Sequence, residues 1–434
     1  MKKLIFLGFF LLWIAGCTNK EGKEKETNID QLPKETKPYI VIFKSEIFPP
    51  VFSEANGFNP ENPNQMKKDL INQIDSYTDK TRTLEVKHQY TSFFAGYSAN
   101  LTEEQVLALQ NDTEVIANVY DDIEVQGKPI HQGKPIHQSS TPTANWFYDA
   151  SKKTSCGITR IGGPGLPSSS QARIWVIDSG VDNTHPDLKV DTTLSKSFVS
   201  GETPYKDGLG HGTHCAGIAA ASPSSSSNIG MTGVSPGATI VSMKVLDHCG
   251  NGYWSNVAAA LDEMADSVQQ NDVIMMSIGE YDVENCQNYN EPIKTSINGL
   301  TSLPNRQAFV VMSAGNASGN AATNFPGCIN GPRIFTIASM GIKCNVPGFR
   351  RFETYSNENI PGNNEPLDFI APGTNIFSTF PGNRYAVMSG TSMSCAMVAG
   401  IIHHRVGNPN TQNGQHVPIP GSSDKYNIAL LKPI

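Results

Sequence analysis

Short apolar runs alternate with helical segments over the larger, C-terminal part of the chain, residues 145–434. The apolar runs have the length of strands and lie at residues 173–178, 238–246, 272–277, 308–313 and 333–338. A helix is predicted at residues 256–270, where Val257, Leu261, Met264 and Val268 recur at helical spacing. Continuous apolar strands with helical crossovers predict an α/β fold with a mostly parallel central sheet and helices on both faces. Sites in such folds form at the carboxyl ends of the strands.

A different pattern occupies residues 39–125. Predicted strands lie at residues 39–43, 84–90, 93–99 and 114–125, and predicted helices at residues 64–76 and 102–110. Thr102 and Gln105 have the spacing of a capping box at the start of the second helix. The element order β-α-β-β-α-β predicts a small ferredoxin-like α+β domain ahead of the large one.

The N-terminus is organised like an export signal. Two lysines precede an apolar run at residues 4–14, and the sequence continues Ile14-Ala15-Gly16-Cys17. This ending resembles a bacterial lipobox, which implies a lipoprotein signal peptide at residues 1–16 and a lipid on Cys17. An ordinary signal peptide with an incidental cysteine is the alternative. Residues 17–38 are rich in Lys and Glu and predict a solvated tether.

Export of this kind predicts a lipid-anchored protein of the bacterial cell envelope. Thr18 stands where an Asp is associated with retention in the inner membrane, so the outer membrane is favoured, with release after cleavage of the N-terminal domain as the other outcome. No apolar run is long enough for a membrane span of the mature protein. The formal net charge of −7 argues against nucleic acid as the main partner.

Residues 126–144 are predicted to link the two domains. The hexapeptide Gly-Lys-Pro-Ile-His-Gln occurs twice, at residues 127–132 and 133–138. Two histidines six residues apart could bind a metal ion, but this composition predicts a flexible linker that does not hold them in place. Seven cysteines remain besides Cys17; export permits disulfides and leaves at least one thiol unpaired, but the connectivity stays open.

One serine lies at the start of a predicted buried helix. Ser392 follows Gly390-Thr391, and an apolar run at residues 393–402 comes after it. A serine hydroxyl is a weak nucleophile at neutral pH, so by itself this stretch indicates only a loop that enters a helix. A catalytic role requires a base, a carboxylate and an oxyanion donor.

Three polar residues supply those groups at strand ends and a helix start. Asp178 ends the first strand of the large domain, His211 begins an Ala-rich helix, and Asn316 follows a strand. Taken singly, each residue could serve only as a cap or a turn residue. His211 and His214 could also form a zinc pair, although no third ligand and no H-E-x-x-H pattern accompanies them.

Three motifs carry a resemblance to a known family. In chain order they are Asp178-Ser179-Gly180, His211-Gly212-Thr213-His214 and Gly390-Thr391-Ser392-Met393. Together they resemble the signatures of the subtilisin-like serine proteases, or subtilases, and residues 210–217 look closest to the proteinase K-like branch. The similarity extends from residue 146 to about residue 400. It implies a subtilisin-like fold and serine endopeptidase activity.

The resemblance also implies roles for single residues. Ser392 would be the nucleophile, His211 the general base, Asp178 the carboxylate that orients His211, and Asn316 the oxyanion donor. The substrate would be an extended protein or peptide, bound between Ser277 and Gly279 on one side and Gly250 and Gly252 on the other. Catalysis needs no cofactor and no metal on this view. A structural calcium ion is a family feature to which Asp187 and Asp191 could contribute, but two carboxylates do not make a site.

Residues 39–125 resemble the inhibitory propeptide that precedes subtilases, through the stretch at residues 94–99. This implies an intramolecular inhibitor, removed by self-cleavage in the linker, and a monomeric enzyme. Departures from the family are Ala396 and Met397 in place of Pro and His, Glu280 in place of a second glycine, and a polar C-terminus that predicts loose packing. A non-catalytic, peptide-binding lipoprotein and a zinc-binding protein remain as alternatives.

Overall fold

The computed structural model describes most of the chain. The described residues are 35–53, 60–83, 85–127, 129, 131–132, 136–137, 147–223, 229–343, 346, 349–360, 365–407, 409, 416–418 and 425–431. The predicted signal peptide, the lipidation of Cys17 and most of the tether therefore lie outside the described residues. None of the helices within those ranges combines the length and apolarity needed to cross a bilayer.

The small N-terminal domain has the predicted element order. Its elements are β1 (Lys37–Phe43), α1 (Pro63–Thr81), β2 (Val86–Tyr90), β3 (Gly96–Leu101), α2 (Glu103–Asn111) and β4 (Ile116–Asp121). The strands form an antiparallel sheet in the order β2-β3-β1-β4, which is ferredoxin-like as predicted. Thr102 and Gln105 form the capping box in both directions. Val41, Leu70 and Leu109 are among the side chains of its apolar core.

The sequence prediction is wrong about how this domain ends. The single strand predicted at residues 114–125 is two strands, because β4 is followed by a separate strand, β5 (Glu124–Gln126). β5 leaves the sheet of the small domain and pairs with the large one. The linker prediction also differs from the structure: β6 (His131–Gln132) and β7 (Ile136–His137), one from each copy of the repeat, are strands and not flexible chain.

The large domain contains the remaining strands and helices. They are β8 (Tyr148–Asp149), β9 (Thr154–Ser155), α3 (Cys156–Arg160), β10 (Arg173–Asp178), β11 (Lys196–Ser197), α4 (His211–Ala220), β12 (Thr239–Lys244), β13 (Asn251–Tyr253), α5 (Trp254–Ser267), β14 (Val273–Met276), α6 (Glu291–Ser302), β15 (Phe309–Ser313), β16 (Ile334–Ile342), β17 (Arg350–Phe352), β18 (Leu367–Pro372), β19 (Ile376–Phe380), β20 (Arg384–Ser389), α7 (Thr391–Arg405), β21 (His416–Pro418) and β22 (Lys425–Asn427). The predicted helix at 256–270 ends early, at Ser267, because Val268 adopts an extended conformation.

A central sheet of eight strands organises the large domain. Seven strands follow the order β11-β12-β10-β14-β15-β16-β17, and β18 also pairs with β16. All of these pairings are parallel except that of β17. Alternate residues of β10 face opposite cores: Ile174 lies in the core that contains α4 and α7, and Trp175 lies in the core that contains α5 and α6. Helices therefore cover both faces, as predicted.

The C-terminal end packs more tightly than the sequence predicts. Residues 428–431 are all buried. The N–H of Ala429 donates to the carbonyl oxygen of Ile370 at 3.1 Å, and that of Leu431 donates to Ile161 at 2.9 Å. The short apolar run thus docks beside β18, although polar sequence precedes it. A disulfide joins Cys286 and Cys328, 42 residues apart.

Candidate active site

Asp178 and His211 meet at the carboxyl end of β10. Asp178 is the last residue of the strand, and His211 is the first residue of α4. Nδ1 of His211 lies 2.8 Å from Oδ1 and 2.9 Å from Oδ2 of Asp178. The close approach depends on Gly212, because a Cβ atom there would lie 2.1 Å from the carbonyl oxygen of Gly180. A glycine after the histidine is thus a packing requirement.

The charge of this pair sets the protonation of His211. Burial lowers the pKa of the imidazole, but the charge of Asp178, the hydrogen bond to it and the charge of Asp207 outweigh burial and raise that pKa above its ordinary value of 6.5. Nε2 of His211 is buried and has no hydrogen-bond partner among the described residues. With Nδ1 held by the carboxylate, Nε2 is the nitrogen available to accept a proton.

Ser392 lies at the start of α7, which packs against α4, the helix that begins with His211. Ser392 is the second residue of α7, and 3% of its surface is exposed. Its carbonyl oxygen lies 3.9 Å from the sulfur of Cys215, one turn along α4 from His211, and 3.4 Å from Oγ of Ser277. A residue in the first turn of a helix has a backbone N–H without an acceptor in that helix. The positive end of the helix dipole is at the same place.

The amide of Asn316 has a fixed orientation beside the nucleophile position. Its Oδ1 accepts hydrogen bonds from the backbone N–H and the hydroxyl of Thr391, both at 2.9 Å. A backbone N–H can only donate, so the amide oxygen must face Thr391 and the NH₂ group must point away from it. Asn316 therefore presents two N–H donors on the side opposite Thr391.

Three of the four predicted substrate-binding residues contact β5 and the residue after it. Gly252 pairs with Val125 in the antiparallel ladder of β13 and β5. Gly279 and Gln126 exchange two backbone hydrogen bonds of 2.9 and 3.3 Å, and the carbonyl of Gly250 accepts the N–H of Gly127 at 3.1 Å.

The fourth predicted residue, Ser277, contacts Ser392 as described above. The cleft between β13 and the end of β14 thus binds extended chain by β-strand pairing on both sides.

Two buried thiols lie near Ser392, one in the serine helix and one in α4. Cys215 and Cys395 are both fully buried and not in disulfides. Burial raises the pKa of Cys215 well above its ordinary value and that of Cys395 to about 12. Since thiols with raised pKa remain protonated at neutral pH, they are not nucleophiles here. Ligand atoms of Asp178, His211 and Cys215 cluster within 4.8 Å, but the carboxylate and imidazole of that cluster already bind one another.

His214 is hydrogen-bonded to the backbone of two strands, which does not fit the zinc pair with His211 considered above. Its Nε2 lies 3.1 Å from the carbonyl oxygens of both Ile376 and Ala386, so this nitrogen carries a proton and donates it. Burial, followed by the neighbouring His211, lowers the pKa of His214 to about 3. A neutral imidazole that donates to β19 and β20 has no free nitrogen on that side for a metal ion.

Among the described residues, neither Asp187 nor Asp191 belongs to a cluster of three or more metal-ligating side chains. Oδ2 of Asp187 accepts the N–H of Met231 at 2.8 Å and the hydroxyl of Tyr385 at 2.7 Å. Oδ1 of Asp191 accepts two backbone N–H groups of its own turn, at 2.8 and 3.0 Å. The structural calcium ion to which these carboxylates could contribute therefore stays a prediction.

Glu280 is half-buried and accepts hydrogen bonds from two side chains. Its Oε2 accepts the indole N–H of Trp254 at 3.0 Å and the hydroxyl of Tyr289 at 2.7 Å. Its backbone exchanges hydrogen bonds with Phe325. The glutamate thus links the segment after β14 to the first residue of α5.

Comparison with known proteins agrees with this geometry. The family model described as "Subtilase family" matches residues 169–412, which is more than half of the chain and includes Asp178, His211, Asn316 and Ser392. The chain belongs to the subtilase family. The model described as "Peptidase inhibitor I9" matches residues 38–127, the small domain together with β5. The small domain of this subtilase is therefore an inhibitor-type propeptide domain, and the enzyme class is that of the serine endopeptidases.

Individual relatives of the subtilase cover different shares of their own length. Thermitase of Thermoactinomyces vulgaris is 34% identical over 260 residues, which are 60% of this chain and 84% of thermitase. Subtilisin NAT of Bacillus subtilis subsp. natto is 36% identical over 252 residues, 56% of this chain and 58% of that protein. Among solved structures, sphericase is 29% identical with a TM-score of 0.48 and covers 57% of this chain and 82% of its own.

One residue of the subtilase site escapes the sequence analysis. Asp207 lies four positions before His211, is buried, and accepts hydrogen bonds from the segments on either side of the Asp178–His211 pair. The available signal was an acidic residue shortly ahead of a helix, since a carboxylate near a helix N-terminus can accept its unpaired N–H groups.

Proposed function

We propose that this subtilase is an exported serine endopeptidase that hydrolyses peptide bonds with Asp178, His211 and Ser392 as its triad and Asn316 as oxyanion donor. The observation that carries the proposal is the buried pair of Asp178 and His211, whose Nε2 has no partner among the described residues, on a helix that packs against the helix of Ser392. An imidazole fixed through Nδ1 and unpaired at Nε2 is arranged to act as a general base.

The chemical steps follow from these positions. Oγ of Ser392 attacks the carbonyl carbon of the substrate while Nε2 of His211 takes the hydroxyl proton. The C–N bond then breaks, the imidazolium returns its proton to the leaving amine, and an acyl-enzyme remains. Water attacks the ester with His211 again as base, and the carboxylic acid product leaves. Asp178 holds the imidazole in one tautomer and stabilises its charged form.

Oxyanion binding is assigned to two groups. The NH₂ of Asn316 points away from Thr391, and the backbone N–H of Ser392 lies in the first turn of α7. Hydrogen bonds from fixed donors to a developing oxyanion are among the largest contributions to catalysis by acyl-transfer enzymes. No cofactor enters this scheme. A structural calcium ion near Asp187 or Asp191 stays a prediction.

The proposed substrates are protein segments that can become extended. Ser277, Gly279, Gly250 and Gly252 line a cleft that pairs with β5 through main-chain hydrogen bonds, and such pairing is available to any unstructured polypeptide. Because β5 occupies the cleft, the propeptide domain acts as an intramolecular inhibitor. We propose a monomer, since both the inhibitor and the catalytic groups come from one chain.

Self-processing is proposed within the linker, residues 126–144. Gly127 is bonded to Gly250, and His131 pairs with Ser389, three residues before Ser392. We therefore propose that cleavage occurs at one of the four peptide bonds between Gly127 and His131. Pro129 forms two of those bonds. A proline lacks the N–H of a normal substrate residue and fixes φ, so it is expected to slow cleavage there.

The cellular placement is proposed from the N-terminal sequence alone. A signal peptide at residues 1–16, a lipid on Cys17 and a tether to residue 38 would anchor the enzyme at the bacterial cell envelope, with the outer membrane favoured, or release it after propeptide cleavage. The likeness to the proteinase K-like branch also stays a prediction. The alternative of a non-catalytic peptide-binding lipoprotein is not favoured. All four residues of the proposed site are present, His211 is hydrogen-bonded to Asp178, and the amide of Asn316 is oriented by Thr391.

Covalent labelling tests the proposal. Wild-type protein, incubated until it has been processed, is treated with a serine-directed phosphonate and analysed by peptide mass spectrometry. The adduct is expected on Ser392, and both Ser392→Ala and His211→Ala should lose it. Ser394→Ala is the matched control, since Ser394 lies two residues along the same helix and its hydroxyl only donates to Ala371. An adduct elsewhere, or labelling that survives Ser392→Ala, would refute the assignment.

A further inference from the structure

Asp207 is a buried carboxylate that the catalytic scheme does not use. It lies in the loop before α4, and each of its oxygens accepts two hydrogen bonds. Oδ1 accepts from the hydroxyl of Ser179 at 2.8 Å and from the N–H of Gly210 at 2.7 Å. Oδ2 accepts from the N–H and the hydroxyl of Thr213, at 2.8 and 2.6 Å. Four hydrogen bonds at these distances hold the carboxylate in a single orientation.

Its partners are the neighbours of the two catalytic residues. Ser179 directly follows Asp178, Gly210 directly precedes His211, and Thr213 lies two residues after His211. The hydroxyl of Ser179 also accepts the N–H of Gly212 at 3.0 Å. Ser179, directly after the end of β10, is therefore linked to α4 both directly and through Asp207. Asp207 therefore fixes the distance between the strand end that carries the carboxylate and the helix start that carries the imidazole.

Helix geometry gives Asp207 a second effect. The N-terminal N–H groups of α4 lack acceptors within the helix, and its N-cap, Gly210, provides no side chain for them. Asp207 replaces that cap and adds a negative charge at the positive end of the helix. The other titratable groups facing His211 are Asp178 from β10, and His214 and Cys215 from α4. Lys244 reaches the same strand end by donating to the carbonyl of Ser179.

We propose that Asp207 is a positioning residue of the catalytic centre, which holds Asp178 and His211 in register and contributes negative charge toward the imidazole. The inference rests on the proposed triad. It assigns Asp207 no contact with substrate. The charge of Asp207 is one of the causes that raise the pKa of His211, so its removal should lower that pKa.

The test compares Asp207→Asn and Ser179→Ala with the wild type. Each enzyme is processed, its active sites are counted with the phosphonate, and kcat, KM and the pH dependence of kcat/KM are measured on a peptide substrate. For Asp207→Asn we expect kcat per active site to fall about 10- to 100-fold with little change in KM, because a misplacement of about 1 Å costs on this order. The acidic limb of the profile should move to lower pH, since less negative charge faces His211.

Ser179→Ala separates position from charge. It breaks the link between Ser179 and Asp207 but keeps the carboxylate, so kcat should fall while the acidic limb stays at the wild-type pH. Asp191→Asn is the matched control, because Asp191 also accepts backbone N–H groups in a turn, but from Thr193 and Leu194 and not from residues beside His211. It should keep both the kcat and the profile of the wild type.

Several outcomes would overturn the inference. Wild-type kcat in both variants would show that the hydrogen bonds of Asp207 do not position the triad. A fall in kcat for Asp207→Asn without movement of the acidic limb would refute the claim that the charge of Asp207 acts on His211. If Asp207→Asn does not fold, Ser179→Ala alone decides the positioning claim. Failure of the proposed function is distinguishable, because Ser392→Ala would then retain activity.

Discussion

Protonation of one imidazole links structure to activity at the level of single residues. His211 must be neutral at Nε2 to accept the proton of Ser392, so activity falls as pH drops through the pKa of His211. Burial alone would place that pKa below 6.5, but Asp178 and then Asp207 raise it above 6.5. We therefore expect the acidic limb of kcat/KM to have its midpoint above pH 6.5, as measured on a peptide substrate.

Replacing the carboxylate tests the cause of that shift. Asp178→Asn removes the charge and presents a donor to Nδ1, which favours the wrong tautomer. Loss of about 10⁴ in kcat is expected, the value known for this change in a serine protease of another fold. The remaining activity should have its acidic limb at lower pH. An unchanged limb would mean that Asp178 does not control the protonation of His211.

The oxyanion assignment predicts a change in kcat and not in binding. Asn316→Ala should lower kcat about 10²- to 10³-fold, the range measured for the equivalent donor in subtilisin. KM should stay close to wild type, because the donors meet the oxyanion and not the ground-state carbonyl. Asn298→Ala, at an exposed position of α6, is the control and should leave both constants unchanged. A KM effect with unchanged kcat would contradict the assignment.

At the level of elements, the sequence predicts the buried strands well and the linker poorly. The prediction of a strand at residues 173–178 matches β10 at both ends, because polar residues bound a continuous apolar run there. β5, β6 and β7 escape the prediction because their pairing comes from the edges of β13 and β20, which lie far away in sequence. Strand pairing with a distant edge leaves no periodic signal in a segment rich in Gly and Pro.

The repeat offers a matched pair of substitutions for the processing proposal. Pro129 and Pro135 occupy the same position of the two copies, but only the first copy has Val125 four residues earlier, fully buried in the cleft. Pro129→Ala should accelerate self-cleavage about tenfold, the effect of restoring one backbone hydrogen bond. Pro135→Ala should not. The readout is the rate of precursor loss, with the new N-terminus located by mass spectrometry.

Two results would contradict the proposed site of self-cleavage. Equal acceleration by both substitutions would mean that the first copy is not the one presented to Ser392. Cleavage of Pro129→Ala outside residues 127–131 would mean that β5 does not set the register. A Ser392→Ala background serves as the control and should abolish processing in both variants.

At the scale of the whole molecule, the propeptide domain is held by α5 as well as by the cleft. The carboxylate of Asp262 is buried and accepts the N–H groups of Thr91 at 2.9 Å and Ser92 at 2.7 Å. Tyr90 donates to the carbonyl of Ser255 at 3.2 Å. Neither contact was predicted, since a polar residue on a helix face normally indicates solvent, and only the docking of two domains buries it.

This interface predicts how strongly the separated propeptide inhibits. Asp262→Ala leaves two buried N–H groups unpaired on the propeptide, so inhibition of the processed enzyme by added propeptide should weaken about 10- to 100-fold, the cost of hydrogen bonds to a charged group. The inhibition constant is the measurement. Glu263→Gln is the control, because the neighbouring Glu263 pairs with Lys196 on the surface. Equal effects of the two variants would place the binding energy elsewhere.

Hydrolysis of casein by the wild type beside Ser392→Ala tests whether Ser392 is the nucleophile. Both proteins are expressed with their propeptide domain, incubated under the same conditions, and followed for precursor processing and for release of casein peptides, with Ser394→Ala as the control for disturbance of α7. Processing and hydrolysis are expected in wild type and in Ser394→Ala and should be absent from Ser392→Ala. Equal processing and equal casein hydrolysis by wild type and Ser392→Ala would contradict the account.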